Sequence, residues 1–422
     1  MRPSVKGGKL ARRQSVGHHP PRRSFLEGTG LDDVIIVGGG PTGFITALGL
    51  AQAGIGVTVI ECEPGIVDSP RAAVYHWSVV EGLEKLGIRA EVENTGFAKQ
   101  DYTYLVHESG ERIDFSLAVL DGLTPYPYNL HLGQHRLAEI ALRRLSGHAQ
   151  TNVRFNTRLT QLQQDSAGVT LQVMTPDGPE QMRAKWVIGA DGASSTVRRQ
   201  LALDFDGMTW PERFVATNVY FDFERYRYAR ATFLIDDHHG AVIAKLDNAG
   251  LWRCTYMEDA ALPEESVRER LPQAYEAIVP KADYGIERVT PYRMHQRSAT
   301  QYRVGRVVLV GDAAHVTNPT GGLGLTSGLF DCFALYPALA AVISGDADAS
   351  ILDRYSSSRR DIFLNRISPQ AVANKRLIYH ANGGGVKLQD ALVQLRRLVT
   401  DQDFLLQRLM FLKSIETPPL LG

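Results

Sequence analysis

Apolar residues along this chain fall into two rhythms. Short unbroken runs, Val34-Ile35-Ile36-Val37, Val57-Thr58-Val59-Ile60, Trp186-Val187-Ile188 and Val307-Val308-Leu309-Val310, show no polar alternation. That is the pattern of strands covered on both faces in a parallel sheet. Between the first two, the alanine- and leucine-rich stretch Phe44 to Ala53 predicts a helix stopped at Gly54, so that strand, helix and strand form a βαβ unit. Further helices are expected over Val74 to Leu86, with Gly87 as the stop, and over about His135 to Leu145. Tyr102 to Phe115 alternates around Ser109-Gly110 as a hairpin does. Short strands with turns at Ser166-Ala167-Gly168 and Pro176-Asp177-Gly178 fill Val153 to Arg183.

From Phe205 to His295 the rhythm changes. Tyr220, Phe221, Phe223, Tyr226, Tyr228 and Phe233 crowd a strand-like region with turns at Asp236-Asp237 and Asp247-Asn248, which predicts a second, antiparallel domain inserted into the first. Leu352 to Leu421 is helical in pattern. Leu323 to Ile343 is long and apolar enough to span a bilayer. It carries Thr326, Ser327, Asp331 and Pro337 and follows a glycine-rich loop, so a buried core helix is the reading adopted. The fold class is therefore α/β. A Rossmann-like domain covers 32–204 with 296–345, an antiparallel-sheet substrate domain covers 205–295, and a C-terminal helical region covers 346–422. Residues 1–31, rich in Arg, Gly, Pro and Ser, are read as a disordered tail. Arg22-Arg23 is followed by Glu27-Gly28 rather than an apolar run, which argues against export.

Composition alters this picture by exclusion. The 46 basic side chains balance 46 acidic ones, leaving no electrostatic case for nucleic acid as a partner. Cys62, Cys254 and Cys332 are too scattered for a disulfide framework or a metal-ligand pair. A cytoplasmic protein with no metal site and no membrane association is expected. Assembly as a homodimer stays open.

The chemistry sits in glycine-bearing turns. Gly38-Gly39-Gly40-Pro41-Thr42-Gly43 satisfies G-x-G-x-x-G between a strand and a helix, and Glu61 ends the next strand about twenty residues on. Gly38 permits the tight turn, Gly40 lets the backbone approach a pyrophosphate, and Gly43 lets helix and strand pack closely. This much fits NAD, NADP or FAD equally. Two later strands arbitrate. One leads into Gly189-Ala190-Asp191-Gly192 and the other into Gly311-Asp312-Ala313-Ala314-His315, where Asp312 is placed to accept from a ribityl hydroxyl.

In this order and spacing, the three motifs resemble the flavin-dependent aromatic hydroxylases, the single-component monooxygenases typified by para-hydroxybenzoate hydroxylase. The resemblance runs from about residue 33 to 345 and implies that the first domain binds FAD. It implies that NAD(P)H reduces the flavin and that O2 is passed through a flavin C4a-hydroperoxide to a small phenolic substrate. It places Arg71, in Ser69-Pro70-Arg71-Ala72, beside the flavin and its phosphates, and makes Gln134 a flavin contact. Asp191 is associated with both FAD and NAD(P)H. Pro319-Thr320-Gly321-Gly322-Leu323-Gly324-Leu325 resembles the loop over the flavin pyrimidine edge, where Gly322, Gly324 and Leu325 offer backbone amides and the Pro319 carbonyl faces the substrate hydroxyl. Pro319 and Arg71 are thereby placed at the reaction itself. The family pattern has an asparagine where this chain has Thr326, which lacks an amide's two donors.

No side chain stands out as a base. His131, His238, His239, His295, Tyr126, Tyr128, Tyr226 and Tyr228 are candidates, and His315 is read as structural. A same-fold epoxidase or Baeyer–Villiger enzyme on polycyclic substrates and a non-catalytic flavin-bound redox sensor are the alternative functions. Flavin halogenases are set aside because Trp77, Trp186, Trp210 and Trp252 form no W-x-W-x-I-P signature.

Overall fold

The apolar runs pair with one another. In the computed structural model, Asp32–Val37 lies between Val57–Ile60 and Gly178–Gly189, parallel to both, with Val34 opposite Val57 on one side and Trp186 on the other. Val307–Leu309 extends the sheet beyond Gly178–Gly189, and Thr151–Arg154 extends it beyond Val57–Ile60, again in parallel. The structure describes residues 31–68, 73–236, 238–247, 249–279, 283–379 and 388–421. Asp32 to Gly422 cluster as one compact unit. The tail expected over 1–31 lies, apart from Leu31, outside the described residues.

Two helices cover one another against this sheet, and they do so through glycine. Pro41–Gln52 packs on Leu323–Ser344, where a Cβ on Gly49 would stand 2.5 Å from the Tyr336 ring. The helix Trp77–Lys85 meets the same long helix, with the Phe333 ring 2.2 Å from a Cβ on Gly82. Leu323–Ser344 is apolar enough to cross a membrane, yet 61% of its most apolar window is buried inside the protein. The expected helix from Val74 begins instead at Trp77, because Val74–Tyr75 pairs as a strand with Leu130–His131. The helix end is then capped at long range, the Trp77 amide donating to Asn129 Oδ1 at 2.7 Å.

The second sheet has eight strands, in the order His315–Val316, Gly285–Ala299, Phe205–Tyr220, Leu251–Asp259, Ala241–Lys245, Ala231–Ile235, Asp101–Val106 and Arg112–Ser116. It is wider than the expected 205–295. The hairpin at 101–116 covers what would be an open edge at Ala231–Ile235, pairing in parallel with Thr232 opposite Thr103. Gly285–Ala299 also runs through the expected boundary. One face buries Val215, Trp252, Cys254 and Tyr256 against Leu271 and Tyr275 of the helix Val267–Ile278. The other packs Phe214 and Met294 on Ile378 and Tyr379 from the C-terminal helices. The Asp237 and Asn248 turn positions fall outside the described residues.

The contact of Gly49 with Tyr336 yields a stability test. Gly49→Val forces a branched side chain into that ring and is expected to cost about 1–3 kcal/mol, the usual penalty of overpacking. Urea unfolding with an unchanged slope would register it as a lower midpoint.

Candidate functional site

Neighbouring strands of the parallel sheet end side by side, and each ends in one of the motifs. The order Val307–Leu309, Gly178–Gly189, Asp32–Val37, Val57–Ile60 brings Asp312, Asp191, Gly38 and Glu61 to one edge, at the carboxyl ends of the strands. Open α/β sheets bind ligands there.

The glycines of the first turn do different jobs. Gly38 has φ +111°, and a Cβ on it would lie 2.3 Å from the Ala190 carbonyl oxygen. A Cβ on Gly43 would lie 2.0 Å from the Gly38 carbonyl oxygen, so helix and strand touch only because both residues lack one. At Gly40 the same added carbon meets nothing within 4 Å. Gly40 caps the helix without any side-chain bond, Pro41 occupies the first helical position, and no acidic residue stands in the first turn. The helix amides therefore face an open cradle suited to an anion. Thr42 packs beneath the third motif, its Cγ2 lying 2.8 Å from a Cβ built on Gly311 and 2.9 Å from one on Gly328. Glu61 is held in place by accepting from the Gly39 amide at 2.6 Å and the Glu63 amide at 2.9 Å, with lone pairs to spare for sugar hydroxyls.

Asp191 is spent locally. Its carboxylate accepts from Ser195 Oγ (2.5 Å), the Thr196 amide (2.6 Å) and the Val197 amide (3.1 Å), capping the short helix Thr196–Gln200. Burial pushes its pKa up against these bonds. The second motif is joined to the third by Arg198, which sequence reasoning missed. Arg198 donates to the Ala313 carbonyl at 2.8 Å and the Ala193 carbonyl at 2.7 Å, and its guanidinium lies 3.6 Å from the Phe205 ring centre.

Asp312 is exposed on the turn Gly311–Ala313, where Gly311 has φ +58°. Beneath it Asp331 is wholly buried and accepts from the Gly311 amide (2.9 Å), His315 Nε2 (2.8 Å) and Arg359 Nε (2.7 Å). Burial alone would raise the Asp331 pKa, but the His315 and Arg359 side chains overcome it and hold the carboxyl below its usual value.

The loop after His315 is held from three sides. Its exposed Pro319 accepts the Gly322 amide at 3.0 Å, so that carbonyl closes a turn, and Gly321 and Gly322 have φ +91° and +68°. His76 Nε2 donates to the Gly321 carbonyl at 2.7 Å, and burial lowers the His76 pKa. Gln296 Oε1 accepts from Thr317 Oγ1 (2.9 Å) and the Asn318 amide (3.1 Å). Asn374 Nδ2 donates to the Thr320 carbonyl at 3.4 Å. Gly324 and Leu325 lie half-buried in the first turn of the following helix. Thr326 donates back to the Gly322 carbonyl at 3.0 Å and is itself buried. Gln134 opens the helix Gln134–Leu145, half-buried. Arg71, with Ser69 to Ala72, lies outside the described residues.

Three of the candidate bases, His295, Tyr128 and Tyr228, hold hydrogen bonds of their own. His131 is fully buried, and burial drives its pKa to about 3, so it is neutral near pH 7. His295 Nδ1 is 2.9 Å from Thr209 Oγ1, Tyr128 donates to Glu93, and Tyr228 donates to the Ile278 carbonyl at 3.4 Å. His238 and Tyr226 are exposed, and His239 lies beside His238. Tyr126 packs edge-on against Tyr128.

A cavity of about 530 Å³ is lined by Lys99, Asp101, Tyr128, Glu224, Tyr228 and Arg230. The Lys99 ammonium sits 4.5 Å from the Tyr102 ring centre, and burial pushes its pKa down to about 7. Between that value and the unfolded one, near 10.4, the unfolded chain binds the extra proton, so stability rises with pH. Thermal midpoints of the wild type should therefore gain on those of Lys99→Met from pH 7 to pH 10. Parallel curves would show Lys99 to be charged in the folded protein.

A family model described as "FAD binding domain" matches residues 32–367. Para-nitrophenol 4-monooxygenase of Pseudomonas sp. (strain WBC-3) is 44% identical over 349 residues, 82% of this chain and 86% of its own length. 6-Hydroxy-3-succinoylpyridine 3-monooxygenase HspB of Pseudomonas putida (strain DSM 28022 / S16) is 42% identical over 386 residues, 91% of this chain and 98% of its own. The crystal structure of p-nitrophenol 4-monooxygenase PnpA from Pseudomonas putida DLL-E4 is similar with a TM-score of 0.87 at 39% identity, covering 91% of this chain and 98% of that one.

Proposed function

We propose that this chain, which belongs to the single-component FAD-dependent aromatic hydroxylases, places one oxygen atom on a six-membered aromatic ring at the carbon para to a hydroxyl group. It is an FAD-dependent monooxygenase with NAD(P)H as reductant, and its substrates are a small aromatic compound and O2. The observation that carries the reading is the convergence of Gly38, Glu61, Asp191 and Asp312 at the carboxyl ends of adjacent strands, beside Gly40, where an added carbon would meet nothing within 4 Å. The narrower substrate class follows from two similar proteins. One is named for oxygenation of para-nitrophenol at carbon 4, the other for oxygenation of 6-hydroxy-3-succinoylpyridine at carbon 3, in both cases opposite the ring hydroxyl. A cytoplasmic location is part of the same proposal.

Bound in this site, FAD supplies the redox chemistry that no side chain can, carrying electrons from NAD(P)H to oxygen. The chain's own residues bind and orient. The free amides at the start of Pro41–Gln52 would take the pyrophosphate, Glu61 the ribose and Asp312 the ribityl hydroxyls. The amides of Gly324 and Leu325 would favour negative charge on the ring, Gly322 would shape the loop with its own amide held by Pro319, and Arg71, Gln134 and the Asp191 turn would flank the cofactor. His76 fixes the direction of the Gly321 peptide by a bond to its carbonyl, a task that suits a ring kept neutral by burial.

Gly40→Val separates cofactor binding from folding. Its side chain would enter open space in the apo-protein, so the apo thermal midpoint should stay within about 2 °C while FAD binding is lost, since the backbone can no longer reach a phosphate. Retained yellow colour after gel filtration would refute the placement. For the substrate class, flavin reduction by NADH and NADPH is followed by stopped flow across phenols with and without a para substituent. Acceleration by phenols and products oxygenated at the carbon para to the hydroxyl are expected, and ortho-oxygenated products would remove the para assignment.

A further inference from the structure

The helix Ile351–Ile362 passes through a π-helical turn, Phe363–Ile367, into the helix Ser368–Tyr379, making one rod. Arg359, about one turn before the π segment, is fully buried. Besides Asp331 it reaches the Ser327 carbonyl (3.2 Å) and hydroxyl (3.1 Å), the Ile415 carbonyl (2.8 Å) and Thr417 Oγ1 (3.1 Å). Asp331 in turn accepts the Gly311 amide, so Arg359 stands one side chain away from the turn that carries Asp312. In the middle of the rod, the Phe363 ring stacks on His315 at 4.5 Å.

Past the π turn the rod meets the loop instead. Gln296 Nε2 donates to the Ser368 hydroxyl at 2.8 Å while its carbonyl oxygen gathers Thr317 and Asn318. Asn374, braced by Gln370 at 2.7 Å, contacts the Thr320 carbonyl and stands 2.4 Å from a Cβ built on Gly321. At about 100° per residue, Ser368 in an unbroken α-helix would face away from Arg359, and a π turn shifts that register by about one residue. Thr326 bonds back to its own helix, so the amide side chain in contact with Thr320 and Gly321 is that of Asn374.

We propose that Arg359 and Asn374 are separate positioning residues for the flavin, Arg359 setting the turn Gly311–Ala313 and Asn374 setting the loop 319–322, with the rod fixing the distance between them. The proposal rests on the reading above that both segments face the flavin. Each residue acts on a different segment, and that makes them separable by experiment.

The test measures FAD affinity by titrating apo-protein, and amide hydrogen exchange by segment with and without FAD. Arg359→Lys keeps a charge beside Asp331 but loses the fork to Ser327 and Ile415. It should weaken FAD binding about tenfold and speed exchange at 311–315 while leaving 319–322 unchanged. Asn374→Leu should speed exchange at 320–322, leave FAD affinity within about threefold, and make the bound flavin's midpoint potential more negative. If Arg359→Lys does not fold, Thr417→Val, which removes one acceptor of the same guanidinium, should weaken FAD about threefold, and unchanged affinity would overturn the role of Arg359. Effects of both variants on one common segment, or lowered thermal midpoints with affinity and exchange unaltered, would overturn the proposal. Wild-type exchange at both segments that FAD leaves unchanged would instead refute the reading that they face the flavin.

Discussion

The carboxylate of Asp331 is the constraint on which the site depends. It is wholly buried within a long apolar helix, and it stays charged because a guanidinium, an imidazole and a backbone amide surround it. Removing one partner of such a buried pair typically costs about 3–5 kcal/mol, because the remaining charge is left without compensation. In exchange for this vulnerability, four parts of the chain are tied to one atom group. The Gly311 turn, the helix Leu323–Ser344, the rod carrying Arg359 and the residues around Ile415 all meet there. The polar network specifies one arrangement of elements that apolar packing alone would leave free to slide.

Around that anchor, close approach and open space are divided by glycine. At Gly38, Gly43, Gly49, Gly82 and Gly311 an added carbon would strike neighbouring atoms within 3 Å, so these positions let strand, helix and turn touch. Gly40 lies in the same turn as Gly38 and Gly43, and a carbon added to it would meet nothing within 4 Å. The contrast separates glycines that packing requires from one that packing leaves unconstrained, a distinction that their spacing alone cannot express. The second sheet is covered on both faces. Its helix-covered face is closed by Trp252 and Tyr275, while its opposite face meets the C-terminal helices through Phe214 and Tyr379.

Much of this was legible in the chain itself. Unbroken apolar runs identify the parallel strands because a strand covered on both faces has no polar side to show. The G-x-G-x-x-G turn, Glu61 and the Gly311-Asp312 turn are local backbone devices whose geometry depends on residues a few positions apart. They therefore declare themselves in sequence and are found together at one sheet edge. Asp331 was visible as a lone charge in an apolar helix, a sign of a buried partner that sequence could not name.

Only the tertiary structure decided what lies between these devices. Arg359, Gln296, Asn374 and His76 carry no motif, because their significance comes from bonds to residues 21 to 245 positions away, and such pairings leave no periodic trace. The hairpin at 101–116 joins the second sheet for a similar reason: an edge strand must find a partner, and sequence does not say which. Asp191 was read as part of a turn after a strand, and folding spends its carboxylate on capping Thr196–Gln200, since the nearest free amides claim it first. The sequence by itself determined the local glycine-bearing turns at the strand ends, where neighbouring backbone geometry suffices. The tertiary structure decided how those turns are spaced and held, because that depends on buried side-chain bonds between distant segments.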